Sequence, residues 1–458
     1  MKRCVLTRRA FLAAMTTTAS GVALGQTRVN SARVIPGKHS PNEKLNIASI
    51  GVGGQGQSDV FGCRRENIVA LCDVDAKQAS RAFAYFKKLP KFKDYRKMLE
   101  QVKEIDAITV TTPDHTHAPA AYMAMKMGKH VYVQKPLTHT IAETHLLMKT
   151  AHETGVATQM GNQGHSLNGV RELCEMLWSD AIGPVREVHA WTFRPKGRWA
   201  QGIPKPLPPM DVPKTLAWDL WLGTAAKRPY NSGYCPHVWR GWYDFGDGAL
   251  GDMACHVLDP AFMALKLNEA PAYSVEIVKQ EGRNSCTYPT SEVLKYSFPA
   301  RANMPPVDLY WYDGGQVPPW PKGIPKGQQL GDGTWGGDSD GSYFVGDKGI
   351  ATTGTYGMRP RLMPDERMKD YKMPPPTLPR IHPPNHYYNW FDACKGGPPA
   401  CSNFDYSGPL TIMIQLGCIA MRAGTKIAWD NKTQAITNLK DGAKWLTTSY
   451  RKGWELPV

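Results

Sequence analysis

The sequence predicts an α/β protein whose first domain, residues 45–161, is a doubly wound parallel sheet. Three observations predict it. Gly51-Val52-Gly53-Gly54-Gln55-Gly56 directly follows the short apolar run Leu45–Ile50, which sets G-x-G-x-x-G at a strand-to-helix turn. A second apolar run, Ile68–Cys72, ends in Asp73, about 20 residues beyond the glycines. Strand and helix patterns then alternate as far as Met160.

Each element has its own reason. The first glycine permits a tight turn, the second lets backbone approach a pyrophosphate, and the third lets helix pack on strand. Gly51, Gly53, Gly54, Gln55 and Gly56 are therefore candidate dinucleotide-binding residues. Amides at the helix start face the phosphates. Asp73 is placed for the ribose hydroxyls, and a carboxylate there repels a 2′-phosphate, which favours NAD over NADP. Residues 106–112 form the next strand, and Pro113-Asp114-His115-Thr116-His117 its turn. A small-residue helix over 118–127 is closed by Gly128. His130–Val133 leads into Gln134-Lys135-Pro136, a helix spans about 140–154, and Val156–Met160 is the last strand. Ligands bind at the carboxyl ends of such strands, where Thr112, Pro113, His117, Gln134 and Lys135 fall.

The chain has 458 residues, 42% hydrophobic and 21% charged, with 43 Gly and 37 Pro. That length suits two or three domains and excludes disordered, collagen-like and disulfide-scaffold classes. No apolar run reaches the roughly 18 residues of a membrane span. Net charge is +15, but the basic residues are scattered, and no helix-turn-helix, zinc or RNP pattern supports nucleic-acid binding.

Residues 1–25 read as a twin-arginine secretion signal. Thr7-Arg8-Arg9-Ala10-Phe11-Leu12 precedes an uncharged small-residue run, and Ala23-Leu24-Gly25 suits cleavage. Loss of Lys2, Arg3, Arg8 and Arg9 leaves +11, and the expected location is periplasmic. Residues 26–44 read as a linker or arm. Export in the folded state lets the fold form in reducing cytoplasm, so the nine remaining cysteines need not pair; none form C-x-x-C.

Thr112-Pro113 through His117, Gly128-Lys129-His130-Val131 and Lys135-Pro136 together resemble the Gfo/Idh/MocA oxidoreductase family. The resemblance implies a Rossmann domain followed by an α/β domain, residues 162–458, on an open and mostly antiparallel sheet. It implies that Lys135 lies near the nicotinamide and the substrate hydroxyl. The family's usual Glu-Lys-Pro is here Gln134-Lys135-Pro136, which removes a carboxylate beside the lysine.

Asp252 and His256 stand four apart in a helix expected from Gly246 to about Leu267, so they share a face. This resembles the family's catalytic Asp-x-x-x-His. An imidazole takes a hydroxyl proton, and a carboxylate one turn away orients it or raises its basicity. Catalytic candidates are thus Lys135, Asp252 and His256. His165, in Gly161–Ser166, is a candidate substrate or acid–base group at the domain crevice. Trp239, Arg240 and Tyr243 are candidates to stack on a sugar and hydrogen-bond its hydroxyls. The Gly/Pro-rich stretch 313–341 is either a loop over the site or an oligomer contact. His382 and His386 have no third ligand at matching spacing and read as structural, with no metal expected. Strands are expected at Val185–Phe193, Tyr273–Lys279, Glu292–Phe298, Val307–Tyr312 and Tyr343–Val345, and helices at 386–394 and 408–423.

The resemblance implies an NAD-dependent oxidoreductase acting on a sugar or cyclitol hydroxyl, assembled as a dimer or tetramer. Export separates the enzyme from a pool of free NAD, which favours nucleotide held tightly and restored within each turnover. A second scheme fits the same parts. Oxidation acidifies the neighbouring C–H bond, the aglycone is eliminated, water adds and the ketone is reduced back, for net glycoside hydrolysis of the α-N-acetylgalactosaminidase type.

Overall fold

The computed structural model describes residues 43–458. The secretion signal and most of the linker read from the sequence lie outside them.

Six strands make the first sheet: β1 (Asn46–Ile50), β2 (Asn67–Cys72), β3 (Lys91–Phe92), β4 (Ala107–Val110), β5 (His130–Val133) and β6 (Thr158–Met160). Their order is β3-β2-β1-β4-β5-β6, and every pairing is parallel. This is the doubly wound arrangement expected, with its reversal of strand order between β1 and β4. The strands are apolar on both faces because helices cover both; Ile47, Ala48, Ile108, Val110, Val131 and Val133 are fully buried or nearly so. The crossovers carry α1 (Gln55–Gly62), α2 (Ser80–Tyr85), α3 (Tyr95–Gln101), α4 (His117–Lys126) and α5 (Ile141–Thr154). Helix α5 starts where Thr140 and Glu143 form a reciprocal capping box and stops at Gly155, whose φ is 68°.

After α6 (Asn168–Trp178), the second sheet contains β7 (Val185–Thr192), β8 (Ala272–Glu281), β9 (Ser291–Phe298), β10 (Val307–Asp313), β11 (Asp332–Gly333), β12 (Ser339–Gly346), β13 (Gly349–Thr353), β14 (Arg361–Met363), β15 (Ile427–Asp430) and β16 (Ala435–Ile436). Its order is β14-β13-β12-β7-β10-β9-β8-β15-β16, with β11 paired to β12. Only the β7–β10 pair is parallel. The open, mostly antiparallel sheet is therefore as expected, with five short strands (β11 and β13–β16) beyond those the sequence marked.

Alternation along β10 explains how this sheet is covered. Leu309 and Trp311 point into the main core, while Tyr310 and Tyr312 point to the other face with Trp191, Tyr343, Ile324 and Leu330. Ile324 and Leu330 come from the Gly/Pro-rich stretch. That segment thus seals one sheet face, and none of its residues lines the cleft described below.

Between β7 and β8 lie α7 (Trp218–Leu222), α8 (Gly248–Val257) and α9 (Asp259–Ala264). The single long helix expected from Gly246 to Leu267 is thus divided at Leu258. Pro260 lacks the N–H that would donate to His256, and its ring excludes that carbonyl, so the helix restarts with proline in its first turn. Beyond α10 (Arg367–Asp370), α11 (His386–Cys394) lays Trp390, Phe391 and Cys394 against Leu45, Ile47 and Tyr132 of the first sheet. Asn403 caps α12 (Phe404–Ala423) by accepting from Asp405 and Tyr406, so it starts one turn before the expected residue 408.

Candidate active site

One cleft of about 450 Å³ brings the two halves of the sequence together. Its wall includes Gly51, Gly53, Gly54, Gln55, Asp73, Thr112, Pro113, Gln134 and Lys135 from the first domain, and Trp239, Arg240, Asp252 and His256 from the second.

The glycine loop fits a dinucleotide. A Cβ on Gly56 would lie 1.8 Å from the Gly51 carbonyl oxygen, so helix and strand approach as closely as glycine alone allows. Gly54 is the N-cap of α1 with φ 52°, no side chain caps that turn, and a Cβ there would meet nothing within 4 Å. An open space before uncapped helix amides is where a pyrophosphate is received. Asp73 lines this space. Its Oδ2 accepts from the Val52 and Gly53 amides at 2.8 and 3.1 Å, and its Oδ1 from Asp75 at 2.9 Å. The carboxylate thus shapes the loop, with acceptor capacity left for ribose hydroxyls.

Lys135 and Asp252 form the centre. The lysine Nζ donates to Asp252 Oδ1 and to the Asp252 carbonyl, both at 2.8 Å. Arg194 Nη1 reaches Asp252 Oδ2 at 2.5 Å, and Arg240 Nε reaches Oδ1 at 2.9 Å. Burial alone would raise the Asp252 carboxyl, but Lys135, Arg240 and Arg194 together hold it well below its usual range. It is an anion at any physiological pH.

His256 lies one turn further along α8 and lines the same cleft. Burial first, then the nearby Lys135 charge, push its imidazole well below the usual 6.5, so the ring is neutral. Its Nδ1 has no hydrogen-bond partner among the described residues, and its ring meets Tyr356 edge-on at 4.9 Å. Asp252 does not orient it by a hydrogen bond: that carboxylate is occupied by three cations. Of the two expected effects, the orienting hydrogen bond is absent, while the Asp252 charge still pulls the imidazole upward against burial and Lys135; the carboxylate itself anchors an Asp–Lys–Arg cluster.

Gln134 also differs from expectation. Its amide lies under the loop, donating to both oxygens of Asp59 at 2.9 and 3.1 Å, and does not reach the Lys135 amine. The lysine amine is held by Asp252 instead.

Four candidates stand off the cleft wall, Gly56, packed on the Gly51 carbonyl, and the three side chains that follow. His117 is buried between the carbonyls of Pro136 and Thr112, each at 2.9 Å. Burial lowers it to about 4, and a neutral ring donates to only one of the two, so it braces the loops that carry Thr112 and Lys135. His165 is buried against Asp259 at 3.0 Å and packs at a tilt on Tyr406, centroids 4.1 Å apart. Tyr243 packs edge-on against Tyr288 and lies under Arg422. Trp239 does line the cleft, but its ring carries the Arg240 guanidinium at 4.4 Å. His386 is structural as expected, bonded to the Met160 carbonyl at 2.7 Å and to Ser166.

The sequence reading missed Asp114, Arg194 and Tyr356, which all line the cleft. Asp114 lies in the turn Pro113–His117. Burial outweighs the pull of Arg240 and Lys135 and raises its carboxyl to about 7. No local signal marked Arg194 or Tyr356.

Comparison with known proteins accounts for this layout. Residues 45–162 match a family model described as an oxidoreductase family with an NAD-binding Rossmann fold, and residues 183–297 its C-terminal alpha/beta domain. The chain belongs to the Gfo/Idh/MocA oxidoreductase family. Its first domain is an NAD-binding Rossmann domain. A glycosyl hydrolase family 109 protein of Shewanella pealeana is 30% identical over 171 residues, covering 32% of this chain and 38% of that protein. An inositol 2-dehydrogenase of Salmonella typhimurium is 25% identical over 161 residues, covering 34% and 46%. The chain thus spans less than half the length of either relative. Among solved structures, the WlbA dehydrogenase of Bordetella pertussis, in complex with NADH and UDP-GlcNAcA, superposes with a TM-score of 0.58 at 16% identity, covering 84% of this chain and 98% of that one. At that identity the likeness is one of fold. No helix among the described residues is long and apolar enough to cross a membrane.

Proposed function

We propose that this family member is an exported NAD(H)-dependent oxidoreductase that acts on a hydroxyl of a sugar or cyclitol and keeps its nucleotide tightly bound. One observation carries the reading: a charged lysine and a neutral histidine line the same cleft as the glycine loop. Gly51, Gly53, Gly54, Gln55 and Gly56 would cradle the pyrophosphate, Asp73 the ribose, and Thr112, Pro113 and Gln134 the neighbouring part of the nucleotide. NAD, when bound, supplies the hydride acceptor. The residues of the chain supply the rest. His256, neutral, takes the hydroxyl proton. The Lys135 ammonium stabilises negative charge growing on that oxygen. Asp252, through Lys135, fixes the position of the ammonium. A dimer or tetramer, and a periplasmic location resting on Arg8-Arg9 and the uncharged run after them, belong to the same proposal.

The likeness to a glycosyl hydrolase family 109 protein favours a second reading, net glycoside hydrolysis by oxidation, elimination and re-reduction. One experiment separates them. Purified protein without added NAD is denatured to release bound nucleotide. Native enzyme is then incubated in deuterated water with free sugars, inositols and aryl glycosides. Nucleotide reduced by a free polyol without aglycone release supports the oxidoreductase. Aglycone release with deuterium at C2 supports the hydrolase, and absence of bound or bindable nucleotide overturns both.

A further inference from the structure

We propose that the substrate is a sugar bearing an anionic substituent, a carboxylate or a sulfate, gripped by Arg194 and Arg240. The proposal rests on the carbohydrate reading above and narrows it.

Charge count comes first. Lys135, Arg194 and Arg240 converge on Asp252, three cations on one anion. The other carboxylates of the wall do not restore balance here. Asp73 and Asp75 belong to the glycine-loop end, where they accept from the Val52, Gly53, Asp75 and Lys77 amides, and burial raises the Asp114 carboxyl to about 7, so that it is largely protonated at mildly acidic pH. The cluster around Asp252 keeps a surplus of positive charge.

Donor geometry comes second. A guanidinium presents five N–H donors and no acceptor. Arg194 spends only Nη1, on Asp252; its Nη2 has no partner and its Nε is buried without one among the described residues. Arg240 spends Nε on Asp252 and Nη1 on His237, leaving Nη2 free. Asp252 Oδ1 already takes two donors and Oδ2 one, so the cluster offers more donors than acceptors. Sugar hydroxyls donate as well as accept, and a site for neutral sugars supplies carboxylates or amides to receive them. Carboxylate and sulfate oxygens only accept, and they suit planar guanidinium forks.

Rigidity comes third. Arg240 is clamped between Asp252 and the Trp239 ring, with Trp199 at 5.7 Å. Arg194 and Arg240 hold opposite oxygens of one buried carboxylate, so their spare N–H groups are fixed before a ligand arrives. Such preorganisation lowers the entropy cost of gripping a charged group.

The test is titration calorimetry on the NAD-loaded full chain. The probes are D-glucuronate and N-acetylglucosamine 6-sulfate against D-glucose and N-acetylglucosamine. The proposal expects at least one anionic probe to bind about tenfold tighter than its neutral counterpart, the effect of a single charge-assisted hydrogen bond. The preference should weaken as salt rises. The carboxylate and sulfate arms identify which anion is meant. Arg194→Gln and Arg240→Gln should each erase the preference, and Arg194→Lys, which keeps charge but not the fork, should restore it only in part. Equal or tighter binding of the neutral sugars overturns the proposal. Should the arginine variants misfold, the wild-type preference and its salt dependence still decide. Oxidation of neutral sugars with rejection of anionic ones sinks this inference and leaves the oxidoreductase standing. Preferred anion binding without any nucleotide reduction does the reverse.

Discussion

The side-chain amide of Gln134 donates to both carboxylate oxygens of Asp59, 75 residues earlier in the chain. Thr111 and Tyr387 donate to the same carboxylate at 2.6 and 2.8 Å, and Gln55 of the glycine loop at 3.4 Å. Burial raises the Asp59 carboxyl, and these donors offset part of that rise. An acid at position 134 would be incompatible with an ionised Asp59 at this distance. The amide and the buried acid are therefore a matched pair beneath the cofactor loop.

Gln134→Glu should be costly for that reason. Two carboxylates would share a dry site, and one would have to protonate or move. We expect a loss of about 3 kcal/mol in denaturant unfolding, the scale of an uncompensated buried charge. Adding Asp59→Asn should recover most of the loss, since the pair is then reversed. A Gln134→Glu protein as stable as wild type would refute the coupling.

Lys135→Ala should leave the nucleotide in place and remove turnover. Asp252 keeps Arg194 and Arg240, so its charge stays compensated and the fold survives. The expected fall in kcat/KM is on the order of a thousandfold, the usual weight of an electrostatic donor at a developing oxyanion. Released nucleotide, measured after denaturation, should match wild type. Unchanged turnover removes Lys135 from the reaction.

Much of the site was legible because it lies in short local patterns. The glycine loop, Asp73 and Lys135 follow strands, and a strand's carboxyl end fixes where the next residues emerge. Asp252 and His256 share a helix face by spacing alone. What failed was side-chain direction in turns and contact across domains. His117 and His165 sit in turns at the crevice, yet their rings point inward to backbone carbonyls and to Asp259. Tyr243 follows Trp239 by four residues, but no helix carries both: Val238–Gly241 is a short 3₁₀ turn, so the spacing gave no shared face. Arg194 meets Asp252 from 58 residues away, and nothing local marks such an ion pair. The break at Pro260 was readable from the proline itself.

Gly56→Ala tests the loop. The added methyl would sit 1.8 Å from the Gly51 carbonyl oxygen, which is backbone and has nowhere to yield. Helix α1 must tilt away from β1, at roughly 1–3 kcal/mol of overpacking. Bound nucleotide should fall below detection in the purified protein, together with a lower unfolding midpoint. Gly54→Ala meets no atoms but must hold φ near 52°, so it should cost less stability and act mainly on nucleotide retention.

Stability should depend on pH in a direction set by buried acids. Burial raises Asp114, Glu143 and Asp313 to about 7, against ordinary values of 3.8, 4.5 and 3.8. Their folded-state pKa values exceed the unfolded ones, so their contribution is complete below about 4 and is lost as pH rises through 7. Buried imidazoles act oppositely. His115, His117 and His386 are lowered to about 4 and His139 to about 3, all by desolvation, so their contribution is complete above 6.5 and lost on acidification. Above pH 6.5 these histidines are neutral in both states and cannot oppose the acids. The melting temperature should therefore rise as pH falls from 8.5 to 6.5, then level off as the imidazoles begin to count. Glu143→Gln should flatten the alkaline slope by removing one titrating group. A melting temperature that is constant or climbs between pH 6.5 and 8.5 would mean these carboxyls ionise freely in the folded protein.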